Sequence, residues 1–118
     1  MREQKNETRP SIDSETAKKI QELQILDQNL QNFILQRQAF QFDLNETVTA
    51  LEELSKAKDD VYKIIGQVML KTKKEELKKE LEEKKELMNL RLKSLEKQEQ
   101  LTREKLLKLR DEILKTVK

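Results

Sequence analysis

The side chains able to do acid–base chemistry in this chain are carboxylates, lysines and one tyrosine, Tyr62. The pairs Glu52-Glu53 and Asp59-Asp60 are of the type that general acid–base catalysis uses. Catalysis of that kind needs a cleft that buries a carboxylate, and sequence neighbours on a polar chain offer none. The chain has no Cys, no His and a single Gly, so a Gly-rich phosphate loop is absent. The sequence therefore predicts no enzyme, no cofactor and no metal site.

A lysine-rich segment could instead bind phosphate groups. Its basic residues are Lys71, Lys73, Lys74, Lys78 and Lys79. Five glutamates interleave with them and form i,i+4 pairs, and no aromatic residue accompanies them for base stacking. The pattern predicts a solvated helix face and not a nucleic-acid site.

The composition indicates which elements carry these side chains. Charged residues make up 41% of the 118 residues and hydrophobic residues 35%. That is too little apolar material for a large globular core, but it suits long helices that bury a narrow seam. No stretch approaches the roughly 18 apolar residues of a membrane span, and residues 1–11 are unlike a signal peptide. We expect a mainly helical cytoplasmic protein that does not enter membranes, with residues 1–12 as a disordered tail.

A first helix is predicted over about residues 13–57, where no residue breaks a helix. Ten positions within it recur every three or four residues, which is the period of a coiled coil. They are Leu23, Leu26, Leu30, Phe33, Arg37, Phe40, Leu44, Thr47, Leu51 and Leu54. Arg37 and Thr47 interrupt this apolar seam. They either snorkel or fix the register, or they make a partner-specific contact.

A second helix is predicted over about residues 73–117. Thr72-Lys73-Lys74-Glu75 fits a capping box, in which a hydroxyl and a carboxylate each satisfy a free backbone N–H. The seam of this helix is read through Leu77, Leu81, Met88, Leu92, Leu95, Glu99, Thr102, Leu106, Leu109 and Ile113. Two helices of equal length joined by a short link are expected to fold back antiparallel, which brings both chain ends to one tip.

The link, about residues 61–71, abandons the helical period and is predicted to form a β-hairpin around a Gly66-Gln67 turn. In this register apolar side chains occupy both faces. Val61, Ile65, Val68 and Leu70 lie on one face, and Tyr62, Ile64 and Met69 lie on the other. A two-stranded ribbon is marginal in water and has two unpaired edges. We interpret the hairpin as an assembly element, packed between its own helices and strands of neighbouring subunits; alternatively, it merely caps the coiled coil.

Several segments carry a resemblance to a known family. They are Asp43-Leu44-Asn45-Glu46, Ala50-Leu51-Glu52-Glu53-Leu54, Val61-Tyr62-Lys63-Ile64-Ile65-Gly66, Lys71-Thr72, Arg91-Leu92 and Glu96-Lys97-Gln98-Glu99. With the helix–hairpin–helix order, they make residues 16–117 resemble the β-class subunits of prefoldin, the chaperone of archaea and eukaryotes. The single hairpin between equal helices is the more specific part, because α-class subunits carry two hairpins.

The resemblance implies a fold, partners and a function. The fold would be mainly α, with a long antiparallel two-helix coiled coil and one hairpin. Two α-class and four β-class subunits would form a hexamer around a double β-barrel of hairpins. The coiled-coil tips would hold unfolded client proteins without ATP and deliver them to a group II chaperonin.

Such a chaperone needs apolar side chains near the free helix ends that no partner helix covers. Ile20, Ile25, Leu107, Leu114 and Val117 lie off the predicted seams and close to those ends. We hypothesise that they bind clients together with Leu23, Leu26 and Ile113. If the register slips, some of them belong to the core instead.

The alternative function is a structural tether, an oligomeric coiled coil that spaces partners and has no chaperone activity. It accounts for the helices equally well. It leaves the two-faced apolar hairpin and the off-seam apolar residues without a purpose.

Overall fold

The computed structural model describes residues 13–117 and the side chains of residues 13–116. The elements in chain order are α1 (Ser14–Lys56), β1 (Val61–Ile65), β2 (Val68–Thr72) and α2 (Lys74–Val117). Two long helices joined by one antiparallel hairpin confirm the predicted fold class. The predicted disordered tail, residues 1–12, and the side chain of Val117 lie outside the described residues.

Helix α1 begins with a side-chain cap. The Asp13 carboxylate accepts a hydrogen bond of 2.7 Å from the backbone N–H of Thr16, and the Asp13 carbonyl accepts one of 3.0 Å from Ala17. These bonds satisfy backbone donors that the first turn would otherwise leave open. The bond from the Thr16 N–H, followed by one from the Thr16 hydroxyl, holds the pKa of Asp13 below its usual value of 3.8.

The chain packs as two units, and each contains part of both helices. Among the described residues, one unit comprises residues 13–34 and 97–117. There Lys19 Nζ lies 3.8 Å from Glu112 Oε2, so the beginning of α1 lies beside the end of α2.

The other unit, Leu35–Glu96, holds the hairpin and a small core. Leu44, Met88 and Leu92 form a buried cluster, against which Phe40 and Val48 pack. This contact sets the second half of α1 against the first half of α2.

All the named positions of both predicted seams are buried or half-buried, whereas Lys84 and Lys85, between Leu81 and Met88, are exposed. The buried hydrophobic residues are Leu30, Leu44, Leu54, Met88, Leu92, Leu95 and Leu109, each between 5% and 8% exposed. All seven were predicted seam positions, and the remaining seam positions, apart from buried Thr47, are half-buried. The 3.5-residue period therefore located the packed stripe of both helices.

The hairpin has the predicted register. Ile65 pairs with Val68 and Ile64 with Met69, which leaves Gly66 and Gln67 as a two-residue turn. Gly66 has φ of 61°, whereas Gln67 does not have positive φ. Because a type I′ turn needs positive φ at both central residues, this turn is of the type II′ geometry that favours glycine first.

The junction between hairpin and helices is closed by Lys74. Its Nζ donates to the carbonyls of Ala57 at 3.0 Å and Ser55 at 3.5 Å, at the carboxyl end of α1. A cation at a helix C-terminus satisfies free carbonyls and complements the helix dipole. The first residue of α2 thus caps the end of α1.

The predicted capping box at residues 72–75 is wrong. Thr72 ends β2, where it pairs with Val61, and this places it outside the cap position. The N–H of Leu77 donates to the carbonyl of Lys73 at 3.0 Å, so α2 begins after Lys73. Strand pairing of Thr72 took precedence over the local capping motif.

Candidate functional site

The carboxylates considered for acid–base chemistry lie in water. Glu52, Glu53, Asp59 and Asp60 are all exposed, and Asp60 pairs with Lys71 at 3.1 Å. In the part of the chain that the structure describes, no group of three or more acidic side chains could hold a metal ion. Neither helix over residues 13–117 has the length and apolar character needed to cross a membrane.

The lysine-rich segment has structural partners within the chain. Lys71 pairs with Asp60, and Lys74 caps α1. Glu80, one of the interleaved glutamates, accepts from Lys63 on β1. Some of the charged residues of this segment therefore form ion pairs and hydrogen bonds that connect the hairpin to the helices.

The hairpin exposes most of its apolar side chains. Between 47% and 67% of each side chain is accessible in six of them: Tyr62, Ile64, Ile65, Val68, Met69 and Leu70. Val61 is half-buried. Within residues 13–117 the sheet has two strands, so β1 and β2 each leave one edge without backbone partners in this part of the chain. This combination of unpaired edges and exposed apolar faces is what strand addition by another chain requires.

The two faces of the hairpin have different environments. On one face Val61, Lys63 and Thr72 are half-buried, whereas Ile65, Val68 and Leu70 are exposed, and Lys63 reaches Glu80 on α2. On the other face Tyr62, Ile64, Met69 and Lys71 are all exposed. The end of the hairpin nearer the helices thus turns one face toward α2, and the end at the turn is exposed on both faces.

The predicted client-binding residues all belong to the unit that contains the beginning of α1 and the end of α2. Ile25 is 60% exposed, Leu107 52% and Leu114 54%. Leu23, Leu26 and Ile113 are half-buried, as their seam positions require. The side chain of Val117 is not described.

The expectation that Ile20 lies off the seam is wrong. It is half-buried, four residues after buried Thr16 and three residues before half-buried Leu23. The same three-and-four spacing therefore extends the seam of α1 back to Thr16. The apolar Ile20, three residues before Leu23, was the available signal, whereas polar Thr16 gave none.

Other exposed apolar residues lie on the helices and were not singled out from the sequence. They are Leu35, Phe42, Leu87, Leu90 and Leu101, which are between 48% and 64% exposed. Phe42 borders a shallow groove of about 470 Å³ with Asn45, Glu46, Thr49 and Ala50. Their off-seam heptad positions were the available signal, since a large apolar residue outside the seam must face solvent or a partner.

The geometry is that of a coiled-coil protein in which two long helices flank a single exposed hairpin. The family model described as prefoldin subunit matches residues 17–118. The chain belongs to the prefoldin subunit family, which confirms the resemblance seen in the sequence.

Similar proteins point to the β class within this family. The chain is 46% identical over 88 residues to prefoldin subunit beta of Archaeoglobus fulgidus, and the aligned residues cover 73% of this chain and 76% of the relative. It is 44% identical over 94 residues to prefoldin subunit beta of Pyrococcus furiosus, covering 78% and 80%. The crystal structure of the prefoldin beta subunit from Thermococcus strain KS-1 superposes with a TM-score of 0.83 at 32% identity, covering 93% of this chain and 98% of that chain.

Proposed function

We propose that this chain is a β-class subunit of a prefoldin chaperone and not an enzyme. It assembles through its hairpin and holds non-native polypeptides with apolar side chains near its helix ends. The observation that carries the proposal is the exposure of six large apolar side chains on a ten-residue pair of strands, in a chain of which 41% is charged. A two-stranded ribbon is marginal in water, and partner strands would cover these side chains.

The proposed assembly is a hexamer of two α-class and four β-class subunits, with the hairpins forming a double β-barrel. The unpaired edges of β1 and β2 supply the backbone groups for closing such a barrel. The exposed side chains of the assembly hairpin, residues 61–70, supply its apolar layers. A tether that needed no strand partners would gain nothing from either feature.

The proposed client contacts are Ile25, Leu107 and Leu114, with Leu23, Leu26 and Ile113 becoming accessible where the helix ends separate. Leu26 and Leu109 line a shallow groove together with charged residues of both helices. Apolar side chains with a charged rim bind exposed hydrophobic segments while keeping the complex in solution. Binding of this kind uses no ATP, and the client would pass to a group II chaperonin.

The test compares two triple variants in a hexamer formed with an archaeal α-class prefoldin subunit. The first carries Ile25→Ser, Leu107→Ser and Leu114→Ser. The control carries Phe42→Ser, Leu87→Ser and Leu90→Ser, which remove equally exposed apolar side chains from the other packing unit. Hexamer mass and the suppression of aggregation of a denatured protein are measured for each.

We expect both variants to form the hexamer and only the first to lose aggregation suppression. Equal suppression by the first variant and the wild type would reject these residues as the client site. A wild-type assembly that suppresses no aggregation would reject the chaperone function in favour of the structural tether.

A further inference from the structure

We propose that the ion pair between Lys63 and Glu80 fixes the orientation in which the hairpin is offered to neighbouring subunits. This inference rests on the proposed assembly through the hairpin. Lys63 Nζ lies 2.9 Å from one carboxylate oxygen of Glu80 and 3.0 Å from the other. The lysine ammonium is a compact point charge, so this contact restrains the distance between β1 and α2.

Lys63 occupies a position where an apolar residue would be expected. It lies between Val61 and Ile65 on one face of β1, opposite Leu70 on β2. A charged side chain on this face must keep its amine solvated or paired. Glu80 on α2 provides the partner, and only 33% of the Lys63 side chain is accessible.

Lys63 accounts for the difference between the two faces at the end of the hairpin nearer the helices. Since side chains alternate along a strand, anchoring Lys63 to α2 directs Tyr62 and Ile64 away from that helix. Both are more than half exposed, as is Met69, the cross-strand partner of Ile64. Ile65 and Val68, at the turn end of the anchored face, are also more than half exposed. The ion pair therefore sets how the hairpin lies against α2 and leaves its turn end open to partner strands.

A second ion pair, outside the hairpin, gives a matched control. Lys19 on α1 lies 3.8 Å from Glu112 on α2, and their side chains are 33% and 47% exposed, against 33% and 55% for Lys63 and Glu80. Neither residue belongs to the hairpin. This pair has the same charges and a similar exposure but does not anchor a strand.

The experiment uses the full chain with an archaeal α-class prefoldin subunit. The test variants are Lys63→Glu, Glu80→Lys and the double exchange, in which the combined length of the two side chains is unchanged. The control variants are Lys19→Glu and Glu112→Lys. The dissociation constant of the hexamer is measured by mass photometry at low salt and at 1 M salt, and the helix content of each variant is measured by circular dichroism.

Each single test variant is expected to raise the dissociation constant about fivefold or more at low salt, since it replaces an attraction by a repulsion between like charges. The double exchange is expected to restore the wild-type dissociation constant. Salt at 1 M is expected to reduce the defect of the single variants, because the screening length falls to about 3 Å. Loss of packing alone would give neither rescue nor salt dependence. The control variants are expected to change the constant by less than about twofold.

The inference and the function on which it rests fail in different ways. If the wild-type chain does not assemble with the α-class subunit, the proposed function is overturned together with the inference. If the wild type assembles and the Lys63 and Glu80 variants assemble equally well, only the inference is overturned. A defect in the single variants that the double exchange does not repair also overturns it.

Discussion

The hydroxyl oxygen of Thr47 lies 3.9 Å from the sulfur of Met88 on the facing helix. Thr47 is 4% exposed and Met88 6%, so the contact lies inside the seam. The hydroxyl proton has a nearer acceptor, the carbonyl of Asp43 at 2.9 Å on the same helix. Thr47 therefore satisfies its polar group locally and meets Met88 as a packing surface.

This geometry predicts the order of stability among Thr47 variants. Thr47→Val keeps the shape, removes a hydroxyl that competes for a helix carbonyl, and should stabilise the chain by about 0.5 kcal/mol. Thr47→Ser removes the methyl group from the seam and should cost about 1 kcal/mol. Denaturant unfolding followed by circular dichroism, at one protein concentration, measures both changes. A valine variant less stable than the serine variant would show that the hydroxyl contributes more than the methyl group.

A second prediction concerns the buried cluster around Leu92. Leu92 is 5% exposed and contacts the cluster of Leu44 and Met88, so Leu92→Ala should lower the free energy of unfolding by about 2–4 kcal/mol. Leu90, two residues away on the same helix, is 61% exposed. Leu90→Ala should change the free energy by less than about 0.5 kcal/mol. Similar losses for both variants would mean that Leu90 is covered in the assembled protein.

The seam and the hairpin register could be predicted because each follows from a period. Leu30, Leu44 and Leu54 recur with coiled-coil spacing, and burial of one stripe decides which residues pack. In the hairpin, the one glycine fixes the turn, and the turn fixes the pairing of Ile64 with Met69. Both features depend on local spacing, which a single sequence contains.

Features that depend on competition between elements could not be predicted in this way. Thr72 fits a capping motif, but it pairs with Val61 in the hairpin and lies outside the cap position. Ile20 is half-buried on the seam and not off it, because the seam continues from Leu23 through Ile20 to buried Thr16. The ion pair of Lys63 with Glu80 joins β1 to α2 across seventeen residues of sequence, and no local pattern predicts it.

The cap at Asp13 predicts a dependence of the first turn of α1 on pH. Hydrogen bonds from Thr16 hold the pKa of the Asp13 carboxyl below 3.8, so the cap favours the ionised form. Its contribution is present above the pKa of the unfolded chain and is lost as the pH falls through the lower pKa of the folded chain. The amide resonance of Thr16 in NMR spectra should therefore titrate with a midpoint below 3.8.

The control for this titration is Asp13→Asn, which keeps a capping oxygen and removes the charge. Its Thr16 resonance should stay constant over the same pH range. A wild-type midpoint above 3.8 would contradict the capping geometry.

The last prediction separates folding of the helices from the shape of the turn. Gly66 has φ of 61°, and a Cβ added there would have no heavy atom within 4 Å, so Gly66→Ala meets no steric clash. The left-handed backbone would still cost an alanine about 1–2 kcal/mol. Helix content should be unchanged, whereas the dissociation constant of the assembly should rise about tenfold. Gln67→Ala, at the turn position without positive φ, should assemble like the wild type. Unchanged assembly of Gly66→Ala would show that the turn does not have to be preformed for the subunits to join.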